Sequence, residues 1–332
     1  MSQELEKRFT PKKISSELLG QSYSRLGQDK KSERVLNCGS FLEFAHSISA
    51  DGTISEKGKL YNANFCRDRL CPLCSWRKSY KIFAQVSQIM NIIGDKYKFL
   101  FLTLTVPNCE PSELSTTLSA MVKGFARLIR FKPFKTSVLG YFRALEITRN
   151  KNNGSYHPHF HCVLAVPLNY SGKYYIKHSE WLDMWRKAMR DNSITQVDIR
   201  LVRPKKIDSV GVDSSELLHS ISSVPLGSAV AEVTKYSVKD SDYIIPDNEE
   251  LTDKIVLELS EALYHRRLTA FGGVFDDAFK QLQLQDIESD NADLIHINDT
   301  IDDSLALLIV RYGWSCGVYK MIDSRLKEPL ED

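Results

Sequence analysis

The sequence predicts an α+β fold in which a central antiparallel sheet is flanked by helices, with a small cysteine-bearing, β-rich unit ahead of it. Three observations carry this. "KYKFLFLTLTVPN" (96–108) is an apolar run closed by Pro107 and Asn108, as a buried strand would be. "YFRALEITRNKNNGSYHPHFHCVLAV" (141–166) holds two strand-like stretches around a turn rich in Asn and Gly. Strands and helices alternate only loosely along the chain, with hairpins among them, which suits an antiparallel sheet covered by helices.

Taken in order, residues 1–34 read as a polar basic arm whose opening, "MSQELEKRFTPKK", lacks the apolar centre of a secretory signal. Residues 35–92 form a cysteine-rich unit. Short apolar stretches around the Asp51–Gly52 turn signal are its strands, and Ile82, Val86, Ile89 and Ile93 keep helical spacing after them. Residues 93–245 are the core. There Leu114, Leu118, Met121, Phe125 and Leu128 lie on one helical stripe. Trp181, Leu182 and Trp185 mark another helix, and Val197, Ile199 and Leu201 alternate as a strand. Residues 246–332 read as an α/β extension packing on that core.

With 332 residues, 42% of them hydrophobic and 26% charged, the chain has the composition of a soluble globular protein. No apolar run approaches the roughly 18–20 residues that span a bilayer, so a membrane role is excluded and a cytoplasmic location expected. A net charge of +2 does not announce a polyanion partner. Basic clusters are nevertheless concentrated in the first 90 residues, and 285–303 is acidic, so a local surface could still meet phosphates.

Seven cysteines in a reducing compartment argue against a disulfide framework. Cys66, Cys71 and Cys74 have the spacing C-x4-C-x2-C, and Cys38 in "NCGS" is the natural fourth thiolate, with His46 as its substitute. A structural Zn2+ held by Cys38, Cys66, Cys71 and Cys74 would staple a unit too polar to hold itself together. Arg67, Arg69, Arg77, Lys78 and Lys81 surround it as candidate DNA contacts, joined by Arg203, Lys205 and Lys206 of "RLVRPKK". Cys109, Cys162 and Cys316 read as small core residues.

His157, His159 and His161 alternate on one strand. Residues i and i+2 of a strand point the same way, about 6.5–7 Å apart, so two imidazoles can converge on one ion and a third is too distant. Folding the segment about its turn brings Glu146 opposite His159. Glu146, His159 and His161 are therefore the candidate catalytic metal ligands, for Mg2+ or Mn2+ with open positions, and His157 is left as an outer contact. Farther on, "LGSAVAEVTKYSVKDSDY" (226–243) keeps helical spacing to Asp240 or Asp242. Glu232, Tyr236 and Lys239 share a narrow arc of that helix, with Val230 and Val233 facing away. Tyr236 is a candidate nucleophile despite a phenol pKa of about 10. Lys239 would stabilise phenolate or a phosphate oxygen, and Glu232 would polarise a water. Tyr243 is the substitute nucleophile if the helix is phased differently.

"FLTLT", "HPHFH" and "EVTKYSVK", in that order, resemble the motifs of the HUH endonucleases, and within them the single-tyrosine rolling-circle replication initiators (Rep proteins) of small plasmids of Gram-positive bacteria. The resemblance covers about residues 35–320. It implies a bacterial cytoplasmic nickase that binds a plasmid double-strand origin with a single-stranded or hairpin nick site. It places Phe160 between the two ligand histidines, makes Tyr236 the residue joined to the 5′ phosphate, frees a 3′-OH primer, and gives Glu232 the activation of water that ends the cycle. A host helicase and a DNA polymerase are the implied partners. Three rivals share parts of the pattern: a single-tyrosine transposase, a zinc-stabilised DNA-binding regulator without catalysis, and a hydrolase of small phosphoesters that would not need Tyr236.

Overall fold

Two antiparallel sheets organise the chain, one of five strands and one of four. They are seen in a computed structural model that describes residues 5, 7–202, 227–234, 237–289, 291–297, 301 and 304–329. Each sheet belongs to its own unit, and each unit is assembled from separate stretches of chain. One comprises 82–242 and 258–288, the other 1–81, 243–257 and 289–332.

The five-stranded sheet has the order β6-β3-β5-β4-β7, from β3 (Lys98–Thr105), β4 (Gly140–Arg149), β5 (Tyr156–Val166), β6 (Val197–Leu201) and β7 (Thr269–Gly273). β4 and β5 are the hairpin expected from the Asn/Gly turn, and the apolar run at 96–108 becomes β3 beside it. Both sheet faces are covered, which is why β5 is buried along nearly its whole length. On one face Phe99, Phe101, Phe142, Ala144, Val163 and Ala165 pack with Phe83, Val86, Ile89, Met90 and Ile93 of α3 (Pro72–Ile93). Val230 and Val233 of α7 (Gly227–Val233) and Phe275 and Ala278 of α9 (Val274–Gln281) complete that cluster. The opposite face receives α4 (Leu114–Leu128) and α6 (His178–Met189). Phe125 meets Phe160 with ring centroids 5.8 Å apart, and the Trp185 indole donates to the Thr105 carbonyl at 2.7 Å. Between them in sequence lies the short α5 (Lys132–Ser137), whose Phe134 packs edge-on against Trp181. At the β4–β7 border Gly273 has φ +56°, and a Cβ there would sit 2.1 Å from the Leu139 carbonyl oxygen, so only glycine fits.

The four-stranded sheet has the order β2-β1-β8-β9, from β1 (Phe41–Ser47), β2 (Lys59–Ala63), β8 (Leu307–Ser315) and β9 (Val318–Lys327). β1 pairs along its whole length with β8, from the far end of the chain. Two helices, α1 (Thr10–Arg25) and α2 (Asp29–Leu36), belong to the same unit. The remaining helix, α8 (Glu249–Ala262), carries the chain from this unit back to the other.

Two expectations are corrected here. The described part of 1–34 is not an arm: α1 and α2 are helical, and Leu19 and Tyr23 of α1 are wholly buried. Sparse apolar residues concealed this, because much of what α1 buries is small or polar, including Lys13, Ser16 and Ser22. Residues 246–332 are not one extension on the core. β7 joins the five-stranded sheet, whereas β8 and β9 complete the sheet begun by β1, since a strand run has no local sign of its partner.

Candidate metal centre and cysteine cluster

Glu146 stands directly opposite His159 in the β4–β5 ladder, and Thr103 of β3 stands opposite His161 on the other side. All of these point to the face that carries α3, α7 and α9. The three ligand groups converge: His159 Nε2 lies 3.0 Å from His161 Nε2, and Glu146 Oε2 lies 2.9 Å from His161 Nε2 and 3.4 Å from His159 Nε2. These edges equal the ligand spacings of an ion with bonds of about 2.1 Å and angles of about 90–110°. All three residues are buried.

The imidazoles are oriented by their other nitrogens. His159 Nδ1 lies 3.2 Å from the His157 carbonyl oxygen, and His161 Nδ1 lies 3.2 Å from Thr103 Oγ1. With Nδ1–H donating in both rings, each neutral imidazole turns an Nε2 lone pair toward the other and toward a carboxylate. Such an arrangement repels itself unless a cation or proton lies among the three. Without an ion, protons on the Nε2 atoms take that place: burial alone would raise the Glu146 carboxyl, but hydrogen bonds donated by Nε2–H of His159 and His161 outweigh it and hold the group well below the usual carboxylate range. The donor set of two nitrogens and one oxygen fits a divalent ion with open positions.

His157 is outside this triad. Its Nδ1 is 2.9 Å from Asn108 Oδ1, and burial with the neighbouring His159 lowers its pKa. Phe160, between the two ligand histidines, turns to the opposite face and is stacked by Arg143, whose guanidinium carbon is 4.2 Å from the ring centroid. Thr103 and Asn108 were not singled out from the sequence. The hydroxyl residues of "FLTLT" were the available sign, since a strand beside the histidines must present alternate side chains to them.

The helix expected to run to Asp240 ends sooner, at Val233. Thr234 Oγ1 bonds back to the Val230 carbonyl at 2.9 Å, and the Ser237 carbonyl is taken by the Ile147 amide at 2.7 Å, so the chain there serves β4 rather than a helix. Val230 and Val233 do face the core. Glu232 is half-buried on α7, whereas Lys239 lies beyond it, exposed, so no helical face joins the two. Tyr236, Arg203, Lys205 and Lys206 lie outside the described residues. Tyr243 is buried with its hydroxyl donating to the Leu70 carbonyl, which removes it as a substitute nucleophile. Asp242 was also overlooked: burial raises its carboxyl against the pull of Lys239 and Lys151, and the Glu146 charge adds to the rise.

In the other unit the four predicted cysteines meet. Cys38 Sγ is 3.6 Å from Cys74 Sγ and 3.6 Å from Cys71 Sγ, and Cys66 Sγ is 3.7 Å from Cys74 Sγ. A disulfide would need about 2.05 Å, while a tetrahedron with bonds of about 2.3 Å has edges of about 3.8 Å. Backbone amides of Cys66, Arg67 and Asp68 donate to these sulfurs at 3.4, 3.1 and 3.4 Å, with Arg67 in the left-handed region to aim its N–H. The donor set therefore fits zinc. His46 is not part of it, its Nδ1 lying 2.7 Å from the Ser55 carbonyl oxygen.

Of the basic residues around the cluster, Arg77 is buried and donates to the Leu294 and Ile295 carbonyls at 2.8 and 2.7 Å. Lys81 donates to the His296 carbonyl. Both therefore anchor the 294–296 segment instead of standing free for phosphate. Arg67, Arg69 and Lys78 keep at least partial exposure. Cys109 and Cys162 are buried as expected, but Cys316 is exposed in the tight β8–β9 turn, where a left-handed backbone overrides its apolar character.

A carboxylate and two imidazoles buried together on an antiparallel sheet, and a separate cluster of four cysteines, are the two groups among the described residues that could hold a metal ion. Comparison with known proteins gives the particular family: residues 57–316 match the Replication protein family (Rep_1), and the chain belongs to it. It is 40% identical over 273 residues to a "Protein rep" of Bacillus sp., covering 81% of this chain and 85% of that one. It is 38% identical over 305 residues to a "Protein rep" of Bacillus amyloliquefaciens, covering 88% and 86%. A third "Protein rep", from Streptococcus pneumoniae serotype 2, is 32% identical over 305 residues, covering 90% and 86%. No solved structure matches the chain. The resemblance to plasmid replication initiators read from the three motifs is thus borne out. Among the described residues no helix is long and apolar enough to cross a membrane.

Proposed function

We propose that this protein initiates rolling-circle plasmid replication by nicking one strand of its origin. The observation that carries the reading is the convergence of Glu146, His159 and His161, whose ligand atoms lie within 4.8 Å of one another. A divalent ion held there would polarise the scissile phosphate and favour the charge of the transition state.

Tyr236 is the proposed nucleophile. Its Oη–P bond forms as the P–O3′ bond breaks, leaving the 5′ phosphate on the enzyme and a free 3′-OH to prime synthesis. The phosphotyrosine retains the energy of the broken phosphodiester, so rejoining needs no nucleotide triphosphate. Glu232 is the proposed base for the water that ends the cycle, with Lys239 a candidate partner for phosphate oxygen. Thr103 and the His157 carbonyl fix the tautomers that leave both Nε2 atoms for the ion. Zinc in the four-thiolate cluster is proposed as structural, with Arg67, Arg69 and Lys78 contributing to contact with origin DNA. A host helicase and polymerase would act on the exposed primer.

A denaturing gel tests this. The protein and its Tyr236→Phe variant are mixed with single-stranded DNA covering the replicon's candidate hairpins, with Mn2+ or with chelator. A metal-dependent adduct that survives denaturation and is lost in the variant is the expected result. Cleavage persisting in the variant moves the nucleophile elsewhere. Tight binding with neither adduct nor cleavage overturns the nicking mechanism.

A further inference from the structure

We propose that Lys13 of α1 is the counter-cation of the metal-loaded four-thiolate cluster, so that loading the cluster and docking α1 are coupled. This rests on reading Cys38, Cys66, Cys71 and Cys74 as a metal site.

A divalent ion with four thiolates carries a formal charge of −2, which a protein interior must offset. Lys13 is fully buried, 0% exposed. Its ammonium donates to the Leu36 carbonyl and lies 3.8 Å from the carboxylate of Glu17, a side chain 34% exposed. One peripheral carboxylate is poor compensation for a buried ammonium. Three residues along the same helix, Ser16 is also fully buried and its Oγ is 3.4 Å from Cys71 Sγ. The face of α1 that carries Lys13 therefore lies on the sulfurs. Burial pulls the Lys13 ammonium below the ordinary lysine range, and the charges of Glu17, Cys38, Cys71 and Cys66 act against that pull. The same helices close over the cysteine loop at Asp68, which accepts from the Tyr23 hydroxyl at 3.1 Å and lies 3.6 Å from the Lys31 ammonium.

The metal state then sets the sign of Lys13's contribution. With neutral thiols the buried ammonium has the Leu36 carbonyl, the Trp314 ring at 6.0 Å and, among the described residues, the Glu17 carboxylate as its one counter-charge, and it opposes folding; with a loaded cluster it faces two net negative charges and favours it. Outer-shell partners of this kind change metal affinity by about 10–100-fold.

The test is Co2+ titration of the full chain against a competing chelator, read by sulfur-to-cobalt charge-transfer absorption, which the Glu146 and histidine site cannot give. Wild type, Lys13→Met and Glu17→Gln are compared, and the urea midpoint of each metal-free form is recorded. The expected result is Co2+ affinity lower by about 10–100-fold in Lys13→Met, with a metal-free midpoint equal to or above wild type. Glu17→Gln should stay within about threefold of wild-type affinity, because the cluster and not Glu17 is the partner that matters. Wild-type affinity in Lys13→Met, with metal-free and loaded forms equally destabilised, would overturn the proposal and leave Lys13 as a cap on Leu36. Absence of the charge-transfer band in wild type would sink the metal-site reading itself, and this inference with it.

Discussion

Replacing Thr103 with valine should weaken divalent metal binding at the Glu146, His159 and His161 centre by about 10–100-fold, or about 1.4–2.8 kcal/mol. Valine keeps the β-branched shape, so β3 and its pairing with β5 persist. What disappears is the oxygen 3.2 Å from His161 Nδ1. Without it the ring loses the acceptor that holds the proton on Nδ1, and the tautomer with Nε2 protonated, which cannot bind metal, gains population. The buried nitrogen left without a partner adds a desolvation cost of about 1–3 kcal/mol, felt as global stability. Two readouts separate these effects: Mn2+ affinity, from the free-ion electron paramagnetic resonance signal, and the urea midpoint without metal. Thr103→Ser should restore metal affinity nearly fully, since it restores the hydroxyl but not the methyl. If Thr103→Val bound Mn2+ like wild type, or if Thr103→Ser were as weak as Thr103→Val, the orienting role would be refuted.

Glu43 of β1 should control part of the acid stability. It is buried, its carboxyl is lowered chiefly by the hydrogen bond from Arg325, burial opposes this, and Asn62 and Arg311 add to the lowering. A depressed folded value means the stabilisation is complete above the ordinary glutamate value of 4.5 and is lost as pH falls through the folded one. Glu43→Gln should therefore cost about 1.5–3 kcal/mol at neutral pH, with the gap to wild type closing as urea midpoints are measured at progressively more acid pH; a constant gap would contradict this. Phe160→Ala should cost about 3–5 kcal/mol in denaturant unfolding, because it empties a fully buried site and removes the ring under Arg143; a loss below about 1 kcal/mol would show that the site collapses without strain.

The sheet centre was legible because its signals are local. A two-residue period fixed which histidines share a face, and the turn at 150–154 fixed what lies opposite them, so Glu146 could be placed by counting. The cysteines were legible for the same reason, since three of the four lie within nine residues. What failed was non-local or polar. Nothing in "TPKKISSELLGQSYSR" announces that Lys13 and Ser16 are buried, because what covers them is distant in sequence: Ser16 meets Cys71, 55 positions on. The helical phase shared by Glu232 and Lys239 was sound arithmetic on a premise that fails before Lys239, while Tyr236 lies outside the described residues. By Ser237 the chain serves β4, its carbonyl taken by the Ile147 amide, and that competitor is not visible in periodicity.

The pairing of β1 with β8 also has a consequence for biosynthesis. Ser47 leaves the ribosome 260 residues before its partner Leu307, which at about 5–20 residues per second is a wait of about 13–52 s. Through that interval β1 has only β2 beside it, a two-stranded ribbon that is marginal alone. The cysteines meanwhile are already synthesised, so a metal ion captured early would guard this half-built unit against aggregation. Translation that stops before β8 would yield a chain whose histidine-bearing sheet can close but whose cysteine-bearing unit never does.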